Sequence, residues 1–118
     1  GPRIGTMPSI AQRPPQTMPA APLSSQALVR LPSSTELARY YPARALEIGR
    51  NGVVRVLCRV GAQGRIFNCL IVREEPQGAE FGAQTQKMVE TELRARTFDQ
   101  SGASTEGRSI ELTIRWQD

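Results

Sequence analysis

The chain has no histidine, only two cysteines and just six aromatic side chains among its 118 residues. Each scarcity removes a class of function. Without histidine, acid–base chemistry at neutral pH would fall to a carboxylate or to a perturbed cysteine or lysine. The only adjacent carboxylates, Glu74-Glu75, sit before Pro76 with no catalytic partner in view. Two thiolates alone do not complete a tetrahedral set, so no metal or other cofactor is expected. The turn glycines are not followed by a helix opening on Lys-Ser or Lys-Thr, which excludes a phosphate-binding loop. No apolar run approaches the roughly 20 residues of a transmembrane helix, and no signal-peptide pattern is present. These scarcities disfavour catalysis, and no enzymatic activity is expected.

The two ends of the chain differ. Seven of the nine prolines fall in the first 32 residues, no acidic residue precedes Glu36, and no aromatic precedes Tyr40. A segment so poor in apolar mass does not offset its ordering entropy, so residues 1–35 are expected to form a disordered, Pro-rich tail or linker. Gly1-Pro2 at its start reads as a protease-cleavage scar. The folded unit is then expected over 36–118. Arg3, Arg13 and Arg30 are unopposed in the tail, whereas 12 basic residues face 11 acidic ones from Glu36 onward. The high pI is therefore a property of the tail. A nucleic-acid binder would concentrate basic residues, with aromatics between them, on the folded surface, so no nucleic-acid partner is expected.

Periodicity supplies the elements. A Ser or Thr at 33–35 ahead of Glu36 suits a helix cap, and Pro42 suits the start of a short helix that Gly49 ends. Residues 53–60 alternate, with Val54, Val56, Cys58 and Val60 on one face and Val53, Arg55, Leu57 and Arg59 on the other. The glycines of Gly61-Ala62-Gln63-Gly64 mark a turn, and a second strand returns over 65–73. Pairing Val60 with Arg65 puts Phe67, Cys69 and Ile71 on the apolar face, because a slip of one residue would bury Asn68. Residues 80–96 form an amphipathic helix with a stripe of Phe81, Thr85, Met88, Val89 and Leu93. A last strand, 109–116, alternates with Ile110, Leu112, Ile114 and Trp116 inward. The fold class expected is α+β: a three-stranded antiparallel sheet with two helices packed on one face, in the order α-β-β-α-β, with sheet order 2-1-3 and a right-handed crossover.

The Tyr41-Pro42-Ala43-Arg44-Ala45 run carries a resemblance, together with Gly52 and the valine alternation after it, the Gly64 turn, the helix ending near Arg96-Thr97-Phe98, and Gly107 before the last strand. In this combination, residues 40–116 resemble the C-terminal domain of the TonB family of periplasmic energy transducers. The resemblance implies a periplasmic domain, anchored to the inner membrane in the full-length protein, that binds the TonB-box segment of an outer-membrane receptor. An inner-membrane proton-channel complex would supply the force through the missing N-terminal anchor. The exposed last strand offers the unpaired backbone groups that β-augmentation needs. The candidate partner-binding residues are Ile110, Glu111, Leu112, Thr113, Ile114 and Arg115, joined by Arg39 and Tyr40 from the family's segment ahead of the Tyr-Pro motif. A plainer reading stands beside each: Glu111 and Arg115 as solvated edge residues, Tyr40 as cover for the hairpin base, Trp116 as core.

Cys58 and Cys69 lie on adjacent strands and point to the apolar face. With Val60 opposite Arg65 they are diagonal and too distant for an unstrained bridge, whereas pairing Val60 with Phe67 sets them opposite each other. An oxidising periplasm would then favour a disulfide, and buried free cysteine is the other reading. Phe98-Asp99-Gln100 lacks the proline that usually follows in the family, and the tail carries only arginine as charge. Those two departures suit an alternative, a TonB-fold adaptor with an envelope-organising role and no receptor coupling. A small anion- or nucleic-acid-binding module using the arginine tail is the third reading. A strand-exchanged homodimer is also compatible with an open edge.

Overall fold

The computed structural model describes residues 21–48 and 51–117. The expected disorder of residues 1–20, the Gly1-Pro2 scar and the Gly49 helix stop lie outside them. Besides two 3-10 turns (Ser25–Ala27 and Ala62–Gly64), six helices and strands follow in order: α1 (Ser34–Tyr40), α2 (Ala43–Ile48), β1 (Gly52–Val60), β2 (Ile66–Glu75), α3 (Phe81–Glu92) and β3 (Ser109–Trp116). The sheet is antiparallel in the order β2-β1-β3, so the α+β class and the strand order are as expected. Among the described residues no helix is long and apolar enough to cross a membrane.

α1 begins on a full capping box. The Ser33 hydroxyl accepts from the Glu36 backbone N–H at 3.1 Å, and the Glu36 carboxylate accepts from the Ser33 N–H at 3.0 Å, which satisfies two of the donors that a helix start leaves unpaired. Tyr41 is extended (φ −60°, ψ 125°), the conformation that a following proline favours, and it separates α1 from α2. β1 is the central strand, with Val54, Val56, Cys58 and Val60 all buried. At its start Gly52 passes so close to the Phe81 ring that any Cβ there would overlap it. Glycine is therefore required where the strand runs under α3.

The register of the hairpin departs from expectation. Val60 pairs with Ile66, Arg59 with Phe67, and Leu57 with Leu70, so one extra residue is accommodated beside Cys58. Asn68 takes up that extra residue in the left-handed region at φ 52°, a conformation that asparagine tolerates better than most residues. Ile66 thereby fills the core slot expected for Phe67, which turns to the open face at 38% exposure. Cys69 returns to the helix side and is buried. Ile71 pairs with Val56 and lies near Gly82 on that same side, but remains 40% exposed at the margin. The register slips by one at Ile66 after all, and the bulge at Asn68 is what keeps that residue out of the core.

α3 is shorter than the 80–96 expected. It stops at Glu92, after which Leu93 is extended. The chain gains other backbone partners there: the Ala95 N–H donates to the Gly64 carbonyl, the Val29 N–H to the Arg94 carbonyl and the Arg96 N–H to the Ala27 carbonyl. The predicted stripe is nonetheless right, with Phe81, Thr85, Met88, Val89 and Leu93 all fully buried.

Those same bonds tie part of the segment ahead of Glu36 to the domain. Within residues 22–31, Leu28 joins the core and Leu23 and Ala27 pack against it. Leu28 is buried and forms a bridge with Ala95, and Arg30 grips the Glu36 carboxylate through two bonds of 3.0 and 2.6 Å. Scarcity of aromatics hid the two packing leucines of this stretch, Leu23 and Leu28.

Candidate partner-binding edge

β3 pairs with β1 in unbroken register, from Gly52 opposite Trp116 to Arg59 opposite Ser109. Its inward groups can be assigned from the flanking bonds. The Val60 N–H donates to the Arg108 carbonyl, so even-numbered residues turn their backbone groups to β1. Odd-numbered residues turn theirs outward, by the alternation of an antiparallel ladder. The first outward groups are taken: the Leu23 N–H donates to the Ser109 carbonyl and the Glu111 N–H donates to the Leu23 carbonyl, each at 2.8 Å. Beyond Glu111 no described residue pairs with this edge. The Glu111 carbonyl and both backbone groups of Thr113 and Arg115 therefore face outward along a strand of unbroken register. The side chains of Glu111, Thr113 and Arg115 lie on the exposed face, and those of Ile110, Leu112 and Ile114 are buried.

The far end of β3 is held by aromatics. Trp116 is fully buried, and its indole N–H donates to the Thr85 hydroxyl at 2.8 Å. That hydroxyl in turn donates to the Phe81 carbonyl at 2.7 Å. Tyr41 meets both rings edge-on, with centroids 5.6 Å from Phe81 and 6.3 Å from Trp116. The Tyr-Pro motif thus closes over the end of the strand, and offset or edge-on aromatic pairs add stability beyond their buried area.

Arg39 and Tyr40 are engaged elsewhere. The Arg39 guanidinium donates to the Glu92 carboxylate at 3.2 Å, and the Tyr40 hydroxyl donates to the same oxygen at 2.9 Å. That hydrogen bond to a carboxylate raises the Tyr40 pKa above its ordinary value, and desolvation by burial adds to the rise. Both residues dock α1 on the end of α3; the bonds they make are to α3 and not to β3.

The loop before β3 is organised by Asp99. Its carboxylate accepts from the Ser101 hydroxyl and N–H, from the Ala103 N–H and from the Arg108 guanidinium. The Ser101 hydroxyl bond leads the causes that hold its pKa down at about 2. This network occupies the stretch in which the expected proline is missing.

The opposite edge, β2, is irregular. Its pairing with β1 shifts twice, near Asn68 and again near Val72. Side chains of α3 cover part of it: Glu90 accepts from the Cys69 N–H at 3.2 Å, and the Gln86 amide donates to the Cys69 carbonyl at 2.8 Å. Cys69 is also disulfide-bonded to Cys58, with their Cα atoms 4.0 Å apart.

No curated protein matches the chain. Over residues 38–117 it matches the family described as Gram-negative bacterial TonB protein C-terminal. The matched span takes in the Tyr-Pro motif, the hairpin, α3 and the whole of β3, and so the chain belongs to the TonB C-terminal family, a family of periplasmic, non-enzymatic domains of energy transduction.

Proposed function

We propose that this domain couples inner-membrane proton-motive force to outer-membrane receptors by accepting an extended receptor segment, the TonB box, as an added strand on β3. The observation that carries the reading is the edge itself. β3 is in continuous register and, among the described residues, unpaired from the Glu111 carbonyl to Arg115, whereas β2 is bulged and partly covered. Main-chain hydrogen bonds would supply affinity, and the exposed side chains of Glu111, Thr113 and Arg115 would read alternate positions of the partner. Ile110, Leu112 and Ile114 support the strand from the core. Arg39 and Tyr40 enter this reading as a second contact, reached if the partner displaces them from Glu92. The inner-membrane anchor and its proton-channel complex would lie upstream.

NMR titration with extended peptides from the N-terminal segments of outer-membrane receptors tests this. Amide shifts are expected at 111–116, with smaller ones at 39–40. Thr113→Pro removes an outward N–H that β1 does not use, and proline is tolerated on edge strands. It should abolish the shifts and leave the fold intact. Shifts that map to β2, or that survive in Thr113→Pro, would sink the reading.

A further inference from the structure

We infer that the segment around Leu23 is a strap on the β3 edge: it pairs as a strand would over Ser109–Glu111 and gives way to a partner strand long enough to need those groups. The inference rests on the reading of β3 as the partner edge. Leu23 lies parallel to β3 beside Ile110, and its N–H and carbonyl satisfy the Ser109 carbonyl and the Glu111 N–H. These are the groups that an added strand running the full length of the edge would claim. The strap cannot lengthen along the edge, because the chain turns into a 3-10 turn at Ser25–Ala27, capped by the Ser24 hydroxyl. Pro22, just ahead, has no N–H, so the outer side of the strap is a poor template for a further strand.

Its attachments are uneven. Five residues on, Leu28 is buried, its neighbours bond to Arg94 and Arg96, and Arg30 is clasped by Glu36. Leu23 itself is only half-buried, between the exposed residues Pro22 and Ser24. Leu23 packs only partly against the core, and beside it lies a cleft of about 710 Å³ bounded by Arg96, Phe98 and Ser101. The upstream end can therefore lift while the Leu28 anchor stays in place. Contacts of this kind open locally at far lower cost than global unfolding.

Amide exchange in the full chain is the first measurement. The Glu111 amide should exchange faster than those of Leu112 and Ile114, which turn to β1, and faster still in Leu23→Pro, by about tenfold or more. Leu23→Gly keeps the donor but loses the half-buried side chain. It should give a smaller rise, and it takes over if Trp116 fluorescence shows that the proline variant is misfolded. Next come two synthetic peptides of a receptor N-terminal segment, one of eight residues and one of four. The longer should bind Leu23→Pro about tenfold tighter than the unsubstituted chain, the shorter equally to both. Equal affinity of the longer peptide for both proteins would overturn the strap. So would Glu111 exchange that occurs only with global unfolding or that is unchanged in Leu23→Pro. If neither peptide binds either protein, the receptor reading fails alone, and the exchange result decides the strap.

Discussion

The two edges of this sheet solve one physical problem in opposite ways. An edge strand presents unpaired N–H and carbonyl groups to any passing chain, and stable proteins usually blunt such edges. β2 is blunted three times over, by two register shifts, by the Glu90 and Gln86 side chains on Cys69, and by a disulfide that ties it to β1. β3 has none of these. Its register is continuous, its N–H groups at Thr113 and Arg115 face outward, and among the described residues only Leu23 pairs along it, over Ser109–Glu111. The contrast teaches that, among the described residues, the devices that protect an edge gather on β2 and leave β3 regular.

Removing the anchor of the open edge should have the largest effect. Trp116→Ala would empty the fully buried site where β3, α3 and Tyr41 meet and remove the indole N–H that the Thr85 hydroxyl accepts, leaving that hydroxyl only its bond to the Phe81 carbonyl. A loss of about 3–5 kcal/mol is expected for truncating a buried aromatic of this size, measured by denaturant unfolding. A loss under about 1 kcal/mol would mean that the end of β3 is held by its ladder alone. Next comes the closed edge. Reduction of Cys58–Cys69, which are separated by 11 residues, should cost about 3 kcal/mol through the freed unfolded chain. While the protein remains folded, peptide shifts at 111–116 should persist. If reduction abolished them, the two edges would not be independent.

Much of this contrast was legible in the sequence, and the remainder was hidden for identifiable reasons. Strand order and the whole of β3 followed from alternation, because a regular half-buried strand leaves its period in the residues. The stripe of α3 followed in the same way, although its end did not: Leu93–Ala95 leave the helix for partners at Gly64 and Val29, which are distant in sequence. The irregularity of β2 was illegible because parity counting assumes one residue against one, and Asn68 breaks that count. The strap was missed because a single parallel bridge at Leu23 has no period at all. One cue was available: the Ser33-x-x-Glu36 capping box showed that order begins ahead of the aromatics. Arg39 and Tyr40 came from resemblance alone, and the bonds that tie them to Glu92 could not have been read from the chain.

A smaller effect is expected from unplugging the blunted edge. The double variant Gln86→Ala, Glu90→Ala leaves the Cys69 N–H and carbonyl without their side-chain partners. Both groups can turn to water at the margin, so the cost should be about 1–2 kcal/mol, that of two hydrogen bonds exchanged for solvent. The informative readout is the Cys69 amide, whose exchange should accelerate while that of Thr113 is unchanged. Peptide shifts appearing on β2 in this variant would show that the side-chain cover, and not the bulges, keeps that edge closed.

The smallest effect is a pH dependence at the covered end of β3. The Glu36 carboxyl is held down at about 2, first by its hydrogen bonds from Arg30, then by the Ser33 N–H, with the Arg30 and Arg39 charges adding to these. Arg30, whose own pKa is raised mainly by the same Glu36 bond, also feels Glu92. Because the folded value lies below the ordinary 4.5, the stabilisation is complete above the usual carboxylate range and is lost as pH falls from there toward about 2. Protonation breaks the clasp that fixes the chain between Leu28 and α1. The Glu111 amide should therefore lose protection across that acid window earlier than the Leu112 and Ile114 amides of the same strand. Glu36→Gln should flatten the difference, since a neutral amide keeps the shape of the cap but not the ion pair. Identical acid profiles for Glu111 and Ile114 would mean that the covered end of β3 is as firmly held as its inner ladder. The upstream segment would then belong to the permanent core.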